Sequence, residues 1–326
     1  MNEKPVLVSG VKPTGDLHIG NYFGAMRQFV DLTKEGKYHP FIFVADYHAL
    51  NTMQDAEEMR RRTREIVVAY IAIGLDPKDV VFFKQSDVPA HTELCWIFDT
   101  ITTMPYLMRA HAFKDAEAKN KEITVGTFNY PMLMAADILL YDAAIVPVGA
   151  DQKQHIEIAR DTAEKFNRVY KTDVFKLPEP YIMPEVAIVP GTDGQKMSKS
   201  YGNVIPLFAS RDELAKCVMN IVTDSSPSTG SGQAAHRPEN VYQIHRLVRS
   251  EAELAPLYEE HRGKYKALKE LLIEDLDRYL APMRARYDEL KNDSGMVEEI
   301  LARGKQEARA VSEAKMAQVR KAIGVA

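Results

Sequence analysis

Four short apolar runs, spaced along the first half of the chain and separated by segments of helical periodicity, constrain the fold most. Val6-Leu7-Val8, Phe41-Ile42-Phe43-Val44-Ala45, Val80-Val81-Phe82-Phe83 and Ile145-Val146-Pro147-Val148 are apolar without alternation. That is the pattern of strands buried on both faces, as in a parallel sheet covered by helices. Between the runs, Phe23, Met26, Phe29 and Val30 recur at helical spacing. Glu57 to Ile73 reads as a long helix stopped at Gly74, and Gln152 to Asn167 as another. Strands alternating with helices imply right-handed βαβ units and an α/β parallel sheet. Ligands of such sheets sit beyond the carboxyl ends of the strands. Ser9 to Thr14, Asp46 to His48 and Gly149 to Gln152 fall at those predicted ends.

The alternation breaks between Pro89 and Pro131, which reads as a helical insertion. After Ser200 only helices are expected: Arg211 to Val222, Val241 to Arg249, Ala252 to Tyr258, Tyr265 to Lys291 and Met296 to Ile323. Thr223 to Arg237 is a Ser/Gly-rich loop between them. At 326 residues the chain exceeds most single cores. We expect an α/β domain over 1–200 and a helical domain over 201–326, its last helix packing back on the first.

Hydrophobic and charged shares of 45% and 27% are ordinary for a soluble globular protein. No apolar run approaches the roughly 20 residues that cross a bilayer, and Met1 to Pro5 lacks a secretory pattern. Cys95 and Cys217 stand apart from each other and from His clusters, which argues against zinc and against a disulfide framework. A reducing cytoplasm is the expected location. A net charge of −4 speaks against wholesale nucleic-acid binding. Arg60-Arg61-Arg62 with Arg64, and the Lys/Arg-rich C-terminal third, still offer local basic patches.

Four elements carry chemistry. Pro13-Thr14-Gly15-Asp16-Leu17-His18-Ile19-Gly20-Asn21 sets glycines and a His at a strand-to-helix junction, where backbone N–H groups favour an anion. Lys12 adds a cation beside it. Lys196-Met197-Ser198-Lys199-Ser200, after the turn Gly191-Thr192-Asp193-Gly194, offers two amines and two hydroxyls to a polyphosphate. Asp137 is the one carboxylate in the apolar helical run Pro131 to Tyr141; it is either partnered internally or faces a pocket. An indole N–H, a pure donor, suits such an acceptor. Gly149-Ala150-Asp151-Gln152 ends a strand and opens a helix; there Asp151 fits a plain N-cap as well as a ribose contact.

Together these segments resemble the paired signatures of class I aminoacyl-tRNA synthetases, with a Rossmann-like catalytic domain. Pro131 to Tyr141, Val146 to His155, Gly20-Asn21-Tyr22, Asp161 to Asn167 and Lys196 to Ser200 resemble the bacterial tryptophanyl branch over nearly the full chain. The resemblance implies that tryptophan is activated with ATP and Mg²⁺ and transferred to tRNA(Trp), in a homodimer without membrane attachment. It implies that Lys196, Lys199, His18 and Lys114 are catalytic. It places ATP on Lys12, Pro13, Thr14, Gly20, Asn21, Gly149, Ala150, Asp151 and Ala187 and on Lys196, Met197, Ser198, Lys199 and Ser200. Tryptophan falls to Asp137, Met134, His48, Gln152 and Tyr130, and the helical third to the anticodon. No metal ligand is implied. The chain departs from the branch at Lys12, where Gln is common, and at Tyr47 and Val8. Two rivals remain open at this level: another adenylate-forming ligase, and a non-enzymatic RNA-binding relative.

Overall fold

The computed structural model describes residues 4–13, 15–110, 113–114, 117, 122–149, 153–182, 188–223 and 237–326. Five parallel strands, β1 (Val6–Val11), β2 (His39–Val44), β3 (Val81–Lys84), β4 (Ile145–Val148) and β5 (Glu179–Ile182), form one sheet in the order β3-β2-β1-β4-β5. The order reverses between β1 and β4, and their carboxyl ends flank the crevice where ligands of open α/β sheets bind. The four expected strands are present. β5 was not foreseen: Glu179-Pro180-Tyr181-Ile182 is short, polar at its start, and lies at the edge of the sheet.

Both faces of the sheet are covered, which explains the unbroken apolar runs. Leu7, Ile42, Val44 and Phe82 point into one core; Val8, Phe41, Phe43, Val81 and Phe83 point into the other. After β1 the chain enters α1 (Ile19–Asn21), passes a π-helical turn at Tyr22–Met26, and continues as α2 (Arg27–Lys34). α3 (Asp46–Ala49) follows β2 directly, and α4 (Ala56–Ala72) is N-capped by Asp55, whose carboxylate accepts from Glu57 N and Glu58 N. The expected insertion holds α5 (Ala90–Ile101) and α6 (Met104–Leu107); α7 (Val125–Leu139) starts within it and runs through Pro131 beyond its expected end, and α8 (Lys153–Val169) leads towards β5.

The C-terminal helices are α9 (Arg211–Met219), α10 (Glu239–His245), α11 (Glu251–Glu260), α12 (Tyr265–Leu290) and α13 (Ser294–Ile323). Their ends differ by a few residues from the sequence reading, the usual uncertainty of helix termini. α13 lies against β3 so closely that a Cβ at Gly304 would overlap the Phe82 carbonyl. Lys315, buried on α13, pairs with Asp142 at 2.7 Å and donates to Val174 O at 2.8 Å.

Candidate active site

α7 is apolar on almost every side, and Asp137 lies within it, 1% exposed. A buried carboxylate costs several kcal/mol unless donors surround it, and three do. Gln85 Nε2 and His91 Nδ1 donate to Oδ1 at 2.7 and 2.6 Å; His48 Nε2 donates to Oδ2 at 2.7 Å. His91 Nε2 lies 2.9 Å from the Tyr141 hydroxyl. Burial pushes the Asp137 pKa up, but the charges and hydrogen bonds of His48 and His91 outweigh it and bring it to about 2. The site is therefore a fixed anion.

His48 and Gln85 lie just past the ends of β2 and β3, and His91 is on α5. Asp46, the first residue of α3, accepts from Ser86 N at 3.0 Å and from the Ser86 hydroxyl, joining α3 to the 3₁₀ turn Gln85–Asp87. That joint sets His48 and Gln85 on one carboxylate. Met134 stands one turn before Asp137, half-buried. The Tyr130 ring meets His48 edge-on at 6.1 Å between centroids, and its hydroxyl is 2.9 Å from His155 Nε2. Lys12 Nζ lies 6.0 Å from the same Tyr130 ring centre. Desolvation lowers the pKa of this ammonium, although the residue as a whole is exposed.

The chain continues from Lys12 through buried Pro13 to Gly15, whose φ of +62° is left-handed. A Cβ there would stand 2.5 Å from Lys199 Nζ, so glycine lets the lysine loop cross the first motif. Gly20 does the same: its missing Cβ would lie 2.9 Å from His18 Nδ1 and 3.2 Å from Met197 Cβ. Asn21 Oδ1 accepts from His18 N at 3.2 Å, closing the turn. His18 Nδ1 is buried with no hydrogen-bond partner among the described residues. Burial first, then the Lys199 charge, lowers the His18 pKa to about 4, so the imidazole is neutral at pH 7.

Met197 roots the lysine loop in the core at 5% exposure, while Lys196, Lys199 and Ser200 face outward. Ser198 Oγ and Ser200 Oγ are 2.9 Å apart. Buried Asn203 supports the loop from below: its Oδ1 accepts from Ser198 N at 2.8 Å, and its Nδ2 donates to Asp193 Oδ1 at 2.6 Å and Lys196 O at 3.2 Å. The strand-like segment after the loop is bonded to the first motif, Ile19 N to Ile205 O at 3.0 Å and Leu207 N to Leu17 O at 2.9 Å. Arg62 on α4 pairs with Asp16. Burial and then the Arg62 charge lower the Lys199 pKa, which Asp16 partly restores.

One line of contacts thus runs from Asp137 through His48 and Tyr130 to Lys12, and Gly15, three positions further on, lies against Lys199. Gly149 sits half-buried just past β4, on the other bank of the crevice. Lys114 is exposed, and its side chain makes no hydrogen bond or ion pair among the described residues. Thr14, Ala150, Asp151, Gln152 and Ala187 lie outside the described residues. Sequence reasoning missed Gln85, His91 and Asn203, which sit in ordinary-looking segments; Arg62 was noted only as part of a basic run and Tyr141 only as the end of the apolar helix, and the fold brings both to the site.

Residues 1–281 match the family of tRNA synthetases class I (W and Y). The chain is 43% identical to a tryptophan–tRNA ligase of Fusobacterium nucleatum over 98% of its own length and 97% of that protein's. It is 42% identical to one of Rhodopirellula baltica, over 98% and 99%. Its fold superposes on the crystal structure of a Campylobacter jejuni tryptophanyl-tRNA synthetase complexed with ADP and tryptophan. The TM-score is 0.89 at 41% identity, covering 98% of this chain and 99% of that one. A parallel sheet with its crevice between β1 and β4, a lysine loop bonded to the first motif, and near-full-length identity together establish that the chain belongs to the class I tRNA synthetases for tryptophan and tyrosine.

Proposed function

We propose that this enzyme is a tryptophan–tRNA ligase whose amino-acid pocket is built on Asp137 and whose phosphate site is built on His18 and the Lys196–Ser200 loop. The observation that carries this reading is how near in the chain the two ends meet: Asp137 is linked through His48 and Tyr130 to Lys12, and Gly15, three positions on, lies against Lys199.

In the first step the tryptophan carboxylate attacks the α-phosphorus of ATP; the bond to the β-phosphate oxygen breaks and pyrophosphate leaves. Negative charge grows on the leaving group, so Lys196 and Lys199 act most strongly in the transition state. His18, neutral, offers an N–H without repelling these cations. ATP arrives as its Mg²⁺ complex, and the described residues contain no cluster suited to a metal of the protein's own. Lys12, Pro13, Thr14, Gly20, Asn21, Gly149, Ala150, Asp151 and Ala187 complete the nucleotide site. Lys114 approaches the phosphates on closure. Asp137 accepts the indole N–H, with Met134, His48, Gln152 and Tyr130 around the substrate. In the second step a terminal ribose hydroxyl of tRNA(Trp) attacks the carbonyl carbon and AMP departs.

Residues 201–326 would read the anticodon. Exposed Trp96, Met104, Met108 and Val125 on and beside the insertion helices are apolar surface that a homodimer would cover. No helix among the described residues is long and apolar enough to cross a membrane, and the reading places the enzyme in the cytoplasm. ATP–pyrophosphate exchange with each of the twenty amino acids tests the proposal. Exchange with tryptophan alone is expected; exchange that is indifferent to tryptophan would overturn it.

A further inference from the structure

The donors around Asp137 are unequal. A carboxylate has about four acceptor positions, two on each oxygen. Oδ1 takes Gln85 Nε2 and His91 Nδ1, and both of these side chains are 0% exposed. Among the described residues Oδ2 takes only His48 Nε2, from a residue 7% exposed beside Tyr130. His91 is itself fixed from behind. Tyr141, 1% exposed, meets its Nε2 at 2.9 Å, and the Phe43 and Phe83 rings flank it at 5.8 and 6.2 Å. A carboxylate can only accept, so Nδ1 must carry the proton. The Tyr141 hydroxyl can donate to Nε2 and hold that tautomer.

We infer that Gln85 and His91, with Tyr141 behind His91, are positioning residues that saturate Oδ1 of Asp137 and so leave one acceptor position, on Oδ2, for a single substrate N–H. This deepens the reading of Asp137 as the indole acceptor and rests on it. Neither residue touches the substrate. Their effect is on where the carboxylate points and how many donors it can take. A carboxylate locked at one oxygen cannot rotate to follow a misplaced ligand, and such preorganisation favours the ligand that fits.

The test compares tryptophan with β-(3-benzothienyl)alanine, in which sulfur replaces the indole N–H, by kcat/KM in pyrophosphate exchange. His91→Leu and Gln85→Met each remove one donor to Oδ1. The preference for tryptophan is expected to fall at least about tenfold in each, a loss of about 1.4 kcal/mol of discrimination, with the KM for ATP unchanged. His91→Asn, whose amide N–H can take the place of Nδ1–H, should restore most of the preference. A merely structural role would weaken both amino acids equally and leave their ratio intact. If His91→Leu does not fold, Tyr141→Phe, which deletes one hydroxyl, is read in its place beside Gln85→Met. Unchanged ratios in these variants, alongside a collapsed ratio in Asp137→Asn, overturn this inference alone. An unchanged ratio in Asp137→Asn overturns the reading of the pocket, and this inference with it.

Discussion

His18 stands in a position where protonation is opposed twice, by burial and by the neighbouring Lys199. Its pKa of about 4 in the folded chain lies below the ordinary 6.5, so between these values the unfolded chain binds more protons. Stability therefore falls as the pH drops through that window. His18→Gln removes this contribution, and the dependence of the urea midpoint on pH between 6.5 and 4 should become shallower than in the parent. An identical slope would contradict a buried neutral imidazole. Lys199→Ala should lower the kcat of tryptophan-dependent exchange by about 10² to 10³, the usual cost of losing one group that stabilises transition-state charge. Its effect on the KM for ATP should be much smaller; a pure KM effect would make Lys199 a ground-state contact. At this scale the sequence was partly legible. Asp137 stood out because charge is conspicuous in an apolar helix. Gln85 and His91 did not, since Lys84 to His91 reads as an ordinary strand exit and their partner is 46 or more residues away.

Secondary-structure elements were read with more success where burial is symmetric. β1 to β4 have core on both sides, so their apolar runs were unmistakable. β5, on the edge, lacked that pressure, and its Glu179 and Tyr181 are exposed. The pairing of Leu17 to Ile19 with Ile205 to Leu207 was invisible because it is made by backbone atoms, which any sequence supplies. Gly304 offers an element-level test in which two effects oppose each other. In an exposed helix, alanine would be the better choice by about 1 kcal/mol. On α13 its Cβ would press into the Phe82 backbone, and overpacking of that kind costs about 1 to 3 kcal/mol. Because the clash is with main chain, which no rotamer change relieves, the second effect should win. Gly304→Ala is therefore expected to lower the urea midpoint, and an increase would show that α13 can move off β3.

On the scale of the whole molecule, the expected division at residue 200 meets a shared interior. Leu272, Leu276, Leu280, Val297 and Ile300 from the C-terminal helices lie in the same core cluster as Leu7, Ile42 and Phe82 from the strands. Arg303 and Arg309 reach back to the carbonyls of Pro77 and Asp87. Ending the chain at residue 293 should therefore give an aggregating product without a cooperative thermal transition. A soluble fragment that still catalysed pyrophosphate exchange would show that the sheet holds without α13. The same closure has a consequence for synthesis. Arg309 and Asp87 are separated by 222 positions, which a ribosome translating at about 5 to 20 residues per second takes on the order of ten seconds or more to cover. Throughout that interval the nascent chain carries β3 with one flank open, until α13 emerges to cover it.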